Sequence, residues 1–241
     1  MKRFGYLPLI AVALWALFTL TGCGSVFKQS APAPVPTPHV ARKPTPVIRP
    51  KPVAGSAGLA VYATHGARPA GGVLVYAEPL DARVPRTDDP PAVLNLVARH
   101  FEPAVLPVRV GGRVTIQNLD GVAHDLYSFS HTRPLSLHLP AGARDVGLKF
   151  RHVGVVAIGC KIYNSMHGYV YVTAAPYFGL TDSNGYLRFG NLPAGRYRIG
   201  VWLPGSSDKD FPGYPRSLTL ESKTDAVVHV KVRHMRPPQT P

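Results

Sequence analysis

The sequence predicts an all-β protein, and three observations support this prediction. Short apolar runs rich in Val, Tyr and Thr recur from residue 58 onward, with turn residues between them. The chain holds 23 glycines and 26 prolines among 241 residues, which suits a protein with many turns. No long run has the period of a helix, and only PAVLNLVARHF (91–101) leaves a short helix or an irregular crossing open.

The N-terminus is typical of a bacterial lipoprotein signal peptide. Lys2 and Arg3 precede an apolar run that is shorter than a typical transmembrane helix. The run ends in Leu-Thr-Gly-Cys. This tetrapeptide resembles the lipobox, which implies removal of residues 1–22 and lipidation of Cys23; an ordinary signal peptide with a chance cysteine is the alternative. Because Gly24 rather than Asp follows, we expect an anchor on the periplasmic face of the outer membrane, with the inner membrane second.

Residues 23–56 are predicted to be a lipidated cysteine and a proline-rich linker. Eight prolines fall within the 23 residues from Ala31 to Val53, a composition that favours polyproline II and cannot build a core. The leader and linker carry seven of the 27 Lys and Arg residues and no acid, so about +7 of the net +14 remains on the rest. We therefore predict no nucleic-acid partner.

The following segments read as strands in chain order. They are LAVYAT, GVLVYAEP, VLPVRV, GRVTIQNLD, VAHDLYSFS, LSLHLP, DVGLKF, VGVVAIGC, GYVYVTA, GYLRFG, RYRIGVWLP, RSLTLES and AVVHVKV. About a dozen strands at short spacing are typical of β-sandwiches.

The two ends of this β region share one motif. TDSNGYLRFGNLPAGRYRIG near the C-terminus resembles the carboxypeptidase regulatory-like, or transthyretin-like, sandwich, and LAVYATHGARPAGGVLVYAEP (59–79) resembles the hairpin that opens that family's fold. We therefore expect residues 57–80 and 177–235 to form one sandwich, with a second domain inserted at 81–176. Two tandem sandwiches are the alternative.

The predicted insertion contains the candidate metal-binding residues. Cys160 is the only cysteine besides Cys23, and a lone thiol in an oxidising compartment suggests a metal ligand or simple burial. His124 follows one strand, and Met166 and His167 come soon after the strand that ends at Cys160. A thiolate, imidazoles and a thioether held by a rigid sandwich suit a mononuclear copper site. The neighbouring carboxylates Asp120 and Asp125 either orient His124 or form turns.

The same region resembles the cupredoxin (plastocyanin/azurin-like) domain of proteins called methylamine-utilisation proteins. The shared motifs are N-x-D-x-x-x-H-x-x-Y-S-F-S, at 118–130, and G-C-x-I-x-x-x-M-x-x-Y-x-Y-V, at 159–172. The resemblance implies a cupredoxin-like Greek-key sandwich whose copper ligands are His124, Cys160 and Met166. The family's second histidine position is Tyr163 here, so either His167 replaces it or the site has lost a ligand.

These features predict a periplasmic protein that binds one copper ion for electron transfer or copper handling. Its partners would be the membrane, through lipidated Cys23, and a periplasmic redox protein. The alternative is a metal-free cupredoxin-fold scaffold. A Cys160–His124 nucleophilic pair lacks an oxyanion motif and a third orienting group in the sequence, so we expect no enzyme.

Overall fold

The computed structural model describes residues 56–81, 92–211, 213–214 and 216–234, and they form an all-β protein. The predicted signal peptide and Cys23 lie outside the described residues, as does all of the predicted linker except Ser56. A single 3-10 turn at Asp208–Asp210 is the only helical element in the described part. None of the described residues forms a helix of the length and apolar character that crossing a membrane requires.

The described residues contain seventeen strands, numbered here in chain order. The strands before residue 81 are β1 (Ala57–His65), β2 (Arg68–Pro69) and β3 (Leu74–Pro79). The strands between residues 92 and 173 are β4 (Ala92–Val97), β5 (His100–Glu102), β6 (Val105–Arg109), β7 (Arg113–Asn118), β8 (His124–Ser128), β9 (Leu135–Leu139), β10 (Val146–Lys149), β11 (Gly154–Cys160) and β12 (His167–Thr173). The remaining strands are β13 (Tyr177–Leu180), β14 (Tyr186–Leu192), β15 (Gly195–Trp202), β16 (Ser217–Leu220) and β17 (Asp225–Lys231).

The strands at the two ends of the described chain pair with each other. One sheet has the order β14-β1-β17, with β2 also on β1, and a second has the order β13-β3-β15-β16. Strand β1 runs antiparallel to β14 and parallel to β17. A buried apolar cluster that includes Leu59, Val61, Val75 and Ile199 belongs to these strands. The strands before residue 81 therefore share their sheets and their core with strands after residue 176.

The intervening strands form a second sandwich with its own core. Its sheets have the orders β10-β7-β4-β5 and β6-β12-β11-β8-β9, with parallel pairs β4–β7 and β6–β12. Its core includes Leu94, Ile116, Leu126, Ile158 and Val170. All of the observed sheets are mixed or antiparallel and alternate buried with exposed residues along most strands, as sandwiches do. The predicted all-β class with two sandwiches is confirmed.

The segment 91–101, for which the sequence left a short helix or an irregular crossing open, forms the two strands β4 and β5. The short-helix alternative is therefore wrong. Leu94 and Leu96 are buried while Val93 is exposed, an alternation of period two that suits β4. Ala98 and Arg99 then take positive φ angles of 49° and 61° and reverse the chain into β5. Pairing with β7 supplies the hydrogen bonds that decide between strand and helix, and that pairing is not visible in the local sequence.

Aromatic residues join the outer face of the β6-β12-β11-β8-β9 sheet to the other sandwich. The ring centroids of Tyr169 and Tyr171 lie 5.8 Å and 5.2 Å from that of Trp202 on β15. Tyr76 on β3 stacks on Tyr171 at 6.1 Å. These contacts cover part of the outer face of β12 and leave the neighbouring β8–β11 part of the same face open.

Candidate metal centre

His124 and Cys160 meet inside the inserted sandwich. His124 begins β8, Cys160 ends β11, and the two strands pair with Cys160 opposite Leu126. His124 lies two residues before Leu126, so its side chain shares the buried face with Cys160. His124 is 0% and Cys160 2% exposed, and Nδ1 of His124 lies 3.7 Å from Sγ of Cys160. Cys160 forms no disulfide.

Asp120 fixes the orientation of the His124 ring. Its Oδ2 lies 2.9 Å from Nε2 of His124, on the side of the ring away from Cys160. A carboxylate can only accept a hydrogen bond, so Nε2 carries the donated proton, and in the neutral imidazole the lone pair of Nδ1 then faces the sulfur. The predicted orienting role of an acidic neighbour is thus filled by Asp120.

The loop that presents Asp120 is built by Asn118. The buried Asn118 amide donates to the carbonyl oxygens of Val122 (2.8 Å), Leu139 (3.3 Å) and Pro140 (2.8 Å). Its Oδ1 accepts from the backbone N–H of Asp120 at 3.0 Å. The spacing N-x-D-x-x-x-H therefore encodes a loop, a carboxylate and an imidazole that hold one another in place. The sequence motif contained this asparagine, but not its role.

Tyr163 and Arg99 lie beside the pair. The Tyr163 ring is half-buried, with its centroid 5.2 Å from that of His124. The Arg99 guanidinium lies 4.8 Å from the Tyr163 centroid, a cation–π contact. The Asp120 carboxylate accepts the backbone N–H of Arg99 at 2.9 Å, so one carboxylate positions both the imidazole and the turn that carries this arginine. Nothing in the local sequence pointed to Arg99, because its contact with Tyr163 depends on the β4–β5 turn.

Met166 and His167 lie on opposite sides of the sheet. Met166 is 1% exposed and belongs to the same core cluster as Cys160, and its backbone N–H donates to the carbonyl of Tyr163 at 3.0 Å. His167 is exposed and stands opposite Gly159 on the outer face. The structure therefore brings His124 and Cys160 together, places Met166 in their core, and does not bring His167 to them.

The other acidic neighbour has a different environment. Asp125 pairs with His138 through Nδ1, and both side chains are exposed, at 41% and 63%. No group of three His, Cys, Asp or Glu side chains within the described ranges is close enough to hold a metal ion. Thiolate and imidazole donors are therefore limited to one of each at this centre.

The similarity of this chain to known proteins covers only part of its length. No protein-family model matches the chain, and no curated protein matches its sequence. Among solved structures, the oxidized state of an amicyanin mutant is 22% identical over 34% of this chain and 82% of its own, with a TM-score of 0.32. A purple cupredoxin from Nitrosopumilus maritimus is 25% identical over 34% of this chain and 99% of its own (TM-score 0.30). A copper-containing nitrite reductase from Thermus scotoductus is 23% identical over 40% of this chain and 25% of its own (TM-score 0.33).

Proposed function

We propose that this protein binds one copper ion, as Cu(I), between His124 and Cys160. The observation that carries the proposal is the 3.7 Å separation of Nδ1 and Sγ. Nitrogen and sulfur donors at the usual distances of about 2.1 and 2.3 Å from one metal lie about 3.6 Å apart at a tetrahedral angle and about 3.8 Å apart at a trigonal one. The lone pair of Nδ1 faces the sulfur because the N–H of Nε2 donates to the Asp120 carboxylate.

The donor set favours copper over the other common metals. Thiolate and thioether sulfur select Cu(I), and buried Met166 offers a thioether in the same core. A structural zinc site needs four strong donors, and an iron–sulfur cluster is usually held by four cysteines. The described residues supply one thiolate and one imidazole here, which fits a soft ion of low coordination number.

The residues do not supply the second imidazole of a blue-copper electron-transfer site. Tyr163 occupies the position where the resembling family has that histidine, and His167 lies on the outer face. The geometry therefore supports holding or delivering Cu(I) better than cycling between oxidation states. In this proposal Asp120 holds the proton on Nε2, Cys160 binds as the thiolate, and Tyr163 shields the pair from water.

Copper titration of the full-length protein tests this proposal. Competition with bicinchoninate should reveal one Cu(I) site, which Cys160→Ser abolishes and His167→Ala, the matched histidine control, leaves unchanged. Tyr163→His should add the missing imidazole and produce a thiolate-to-Cu(II) absorption band that the natural chain lacks. Equal Cu(I) binding by the natural chain and Cys160→Ser would refute the site.

A metal-free scaffold is the second candidate. One observation favours it: both nitrogens of His124 already have a neighbour, Asp120 on one side and Cys160 on the other. In that case the thiol and imidazole are simply a buried polar pair that stabilises the core. Absence of Cu(I) binding in the titration would select this candidate.

We further propose that a lipid on Cys23 anchors the protein at the periplasmic face of the outer membrane. The proposal is supported by the lipobox-like Leu-Thr-Gly-Cys and by the proline-rich residues that follow it. A stretch of about 30 extended residues reaches roughly 100 Å, enough to meet a soluble copper or redox partner away from the lipid.

A further inference from the structure

An open groove lies on the outer face of the β6-β12-β11-β8-β9 sheet, on the side of the sheet away from His124 and Cys160. Its volume is about 320 Å³. Aromatic rings and very small residues line it: Tyr127, Phe129 and Tyr169 with Ala157, Gly159 and Gly168. His167, which does not reach the buried pair His124 and Cys160, also lines this groove.

Phe129 and Tyr127 form an exposed aromatic surface from two rings whose planes are tilted by 49°. Phe129 is 84% exposed, the highest value among the large apolar side chains of the described residues. Its ring centroid lies 5.3 Å from that of Tyr127. The Tyr127 ring in turn packs against Gly159, where an added Cβ would come within 2.8 Å of it. The glycine therefore lets the ring rest on the sheet, and nothing in the core requires Phe129 to be aromatic.

The opposite side of the groove is held rigid by the sandwich that the strands at the two ends of the described chain form. Tyr169 contacts Trp202 edge-on, with the centroids 5.8 Å apart, and Trp202 also contacts Tyr171. These contacts fix the Tyr169 ring before any ligand arrives. A preorganised ring costs less entropy on binding than a free one.

The chemistry of the lining selects the class of ligand. No Asp, Glu, Lys or Arg is among the lining residues, so the groove has no fixed charge with which to recognise phosphate, sulfate or carboxylate. A binding site for an apolar small molecule normally encloses most of the surface of its ligand. This groove is open, so it does not suit that class of ligand. Pyranose rings present a C–H face that stacks on aromatic rings, while their outward hydroxyl groups stay hydrated or meet groups such as His167 and the tyrosine hydroxyls.

We propose that this groove binds a neutral oligosaccharide, stacked on Phe129, Tyr127 and Tyr169. The site is independent of copper, because the side chains of Tyr127, His167 and Tyr169 lie on the face of the sheet opposite His124 and Cys160. Sugar binding and Cu(I) binding should therefore be separable by mutation.

Calorimetry on the full-length protein with cellotetraose and tetra-N-acetylchitotetraose tests the proposal, with a hyaluronan tetrasaccharide as the acidic counterpart. At least one neutral sugar should bind, and Phe129→Ala and Tyr127→Ala should each weaken it by about fivefold to tenfold. Tyr62→Ala removes an aromatic residue of the other sandwich that is 41% exposed, so it is the matched control and should change nothing.

Two results would overturn the proposal. One is the absence of binding to both neutral sugars, or an acidic sugar that binds as well as they do. The other is a proline-rich peptide probe that binds at Phe129 when the sugars do not, which would make the groove a peptide site. Phe129→Ala should retain the Cu(I) affinity of the natural chain, so a failure here is distinguishable from a failure of the copper proposal.

Discussion

Asp120→Asn should destabilise the inserted sandwich, because one carboxylate serves three donors. Its oxygens accept from the backbone N–H groups of Ala98 (2.5 Å) and Arg99 (2.9 Å) and from Nε2 of His124 (2.9 Å). Asparagine has one acceptor oxygen, so whichever way its amide turns, an NH₂ faces at least one of these donors. The Asp120 side chain is only 11% exposed, so water compensates poorly at Nε2 of His124, while the Ala98 and Arg99 donors lie at an exposed turn.

We expect the free energy of unfolding to fall by about 1.5–3 kcal/mol, the cost of losing a hydrogen bond to a charged group at a largely buried site. Urea unfolding followed by tryptophan fluorescence measures this change. Asp125→Asn is the matched control: its pair with His138 is exposed, so it should cost less than about 1 kcal/mol.

The same variant has a second readout in the copper proposal. Where the amide NH₂ turns toward Nε2, the imidazole proton moves to Nδ1 and blocks the lone pair that faces Cys160. Where the amide oxygen turns toward Nε2, a neutral acceptor replaces the carboxylate and holds the imidazole proton less strongly. Loss of such an orienting partner usually lowers metal affinity by about 10- to 100-fold. If Asp120→Asn and Asp125→Asn have equal stability and equal Cu(I) affinity, the orienting role assigned to Asp120 is refuted.

Three further predictions concern the turns, the tyrosines and the anchor. Gly185→Ala should cost at least about 2 kcal/mol more than Gly66→Ala in urea unfolding. Both glycines have positive φ (70° and 59°), but only at Gly185 would a Cβ meet a backbone oxygen, at 2.2 Å. Burial raises the pKa of Tyr171 and Tyr197, so the unfolded chain loses these protons near pH 10 while the folded protein keeps them. The free energy of unfolding should therefore be constant just below about pH 10 and fall above it, and the fall should be less steep in Tyr197→Phe. The same dependence on pH in Tyr197→Phe and in the natural chain would contradict this. Cys23→Ser should move the protein out of the membrane fraction, and a natural chain that is already soluble would refute the anchor.

Local pattern predicted the fold class well because strand signals have a short range. Alternating residues such as Tyr197, Ile199 and Val201 on β15 point to one face whatever their partners are. The short helix considered at 91–101 was wrong because the structure of this segment depends on a long-range contact. Leu94 and Leu96 suit either structure, and the parallel pairing with β7 that decides between them joins residues about twenty positions apart.

The candidate donors were visible in the sequence, but their meeting was not. His124, Cys160 and Met166 could be named from motif spacing, and so could Asp120 as a neighbour of the histidine. The position of Arg99 over Tyr163 depends on a turn in which Ala98 and Arg99 both have positive φ angles. Ala and Arg rarely adopt this conformation, so their presence in the sequence does not predict such a turn. Residues of ordinary type in unusual backbone conformations carry little sequence signal.

By itself, the sequence determined most of the segments that form strands, though not β4 and β5, and which side chains are of the types that bind a soft metal. Only the tertiary structure decided that His124 and Cys160 meet at 3.7 Å, that Met166 lies in their core and that His167 faces outward. The physical reason is the pleat. Neighbouring residues of a strand alternate between faces, so a shift of one residue in register exchanges a buried donor for an exposed one. That register is set by hydrogen bonds between strands far apart in the chain.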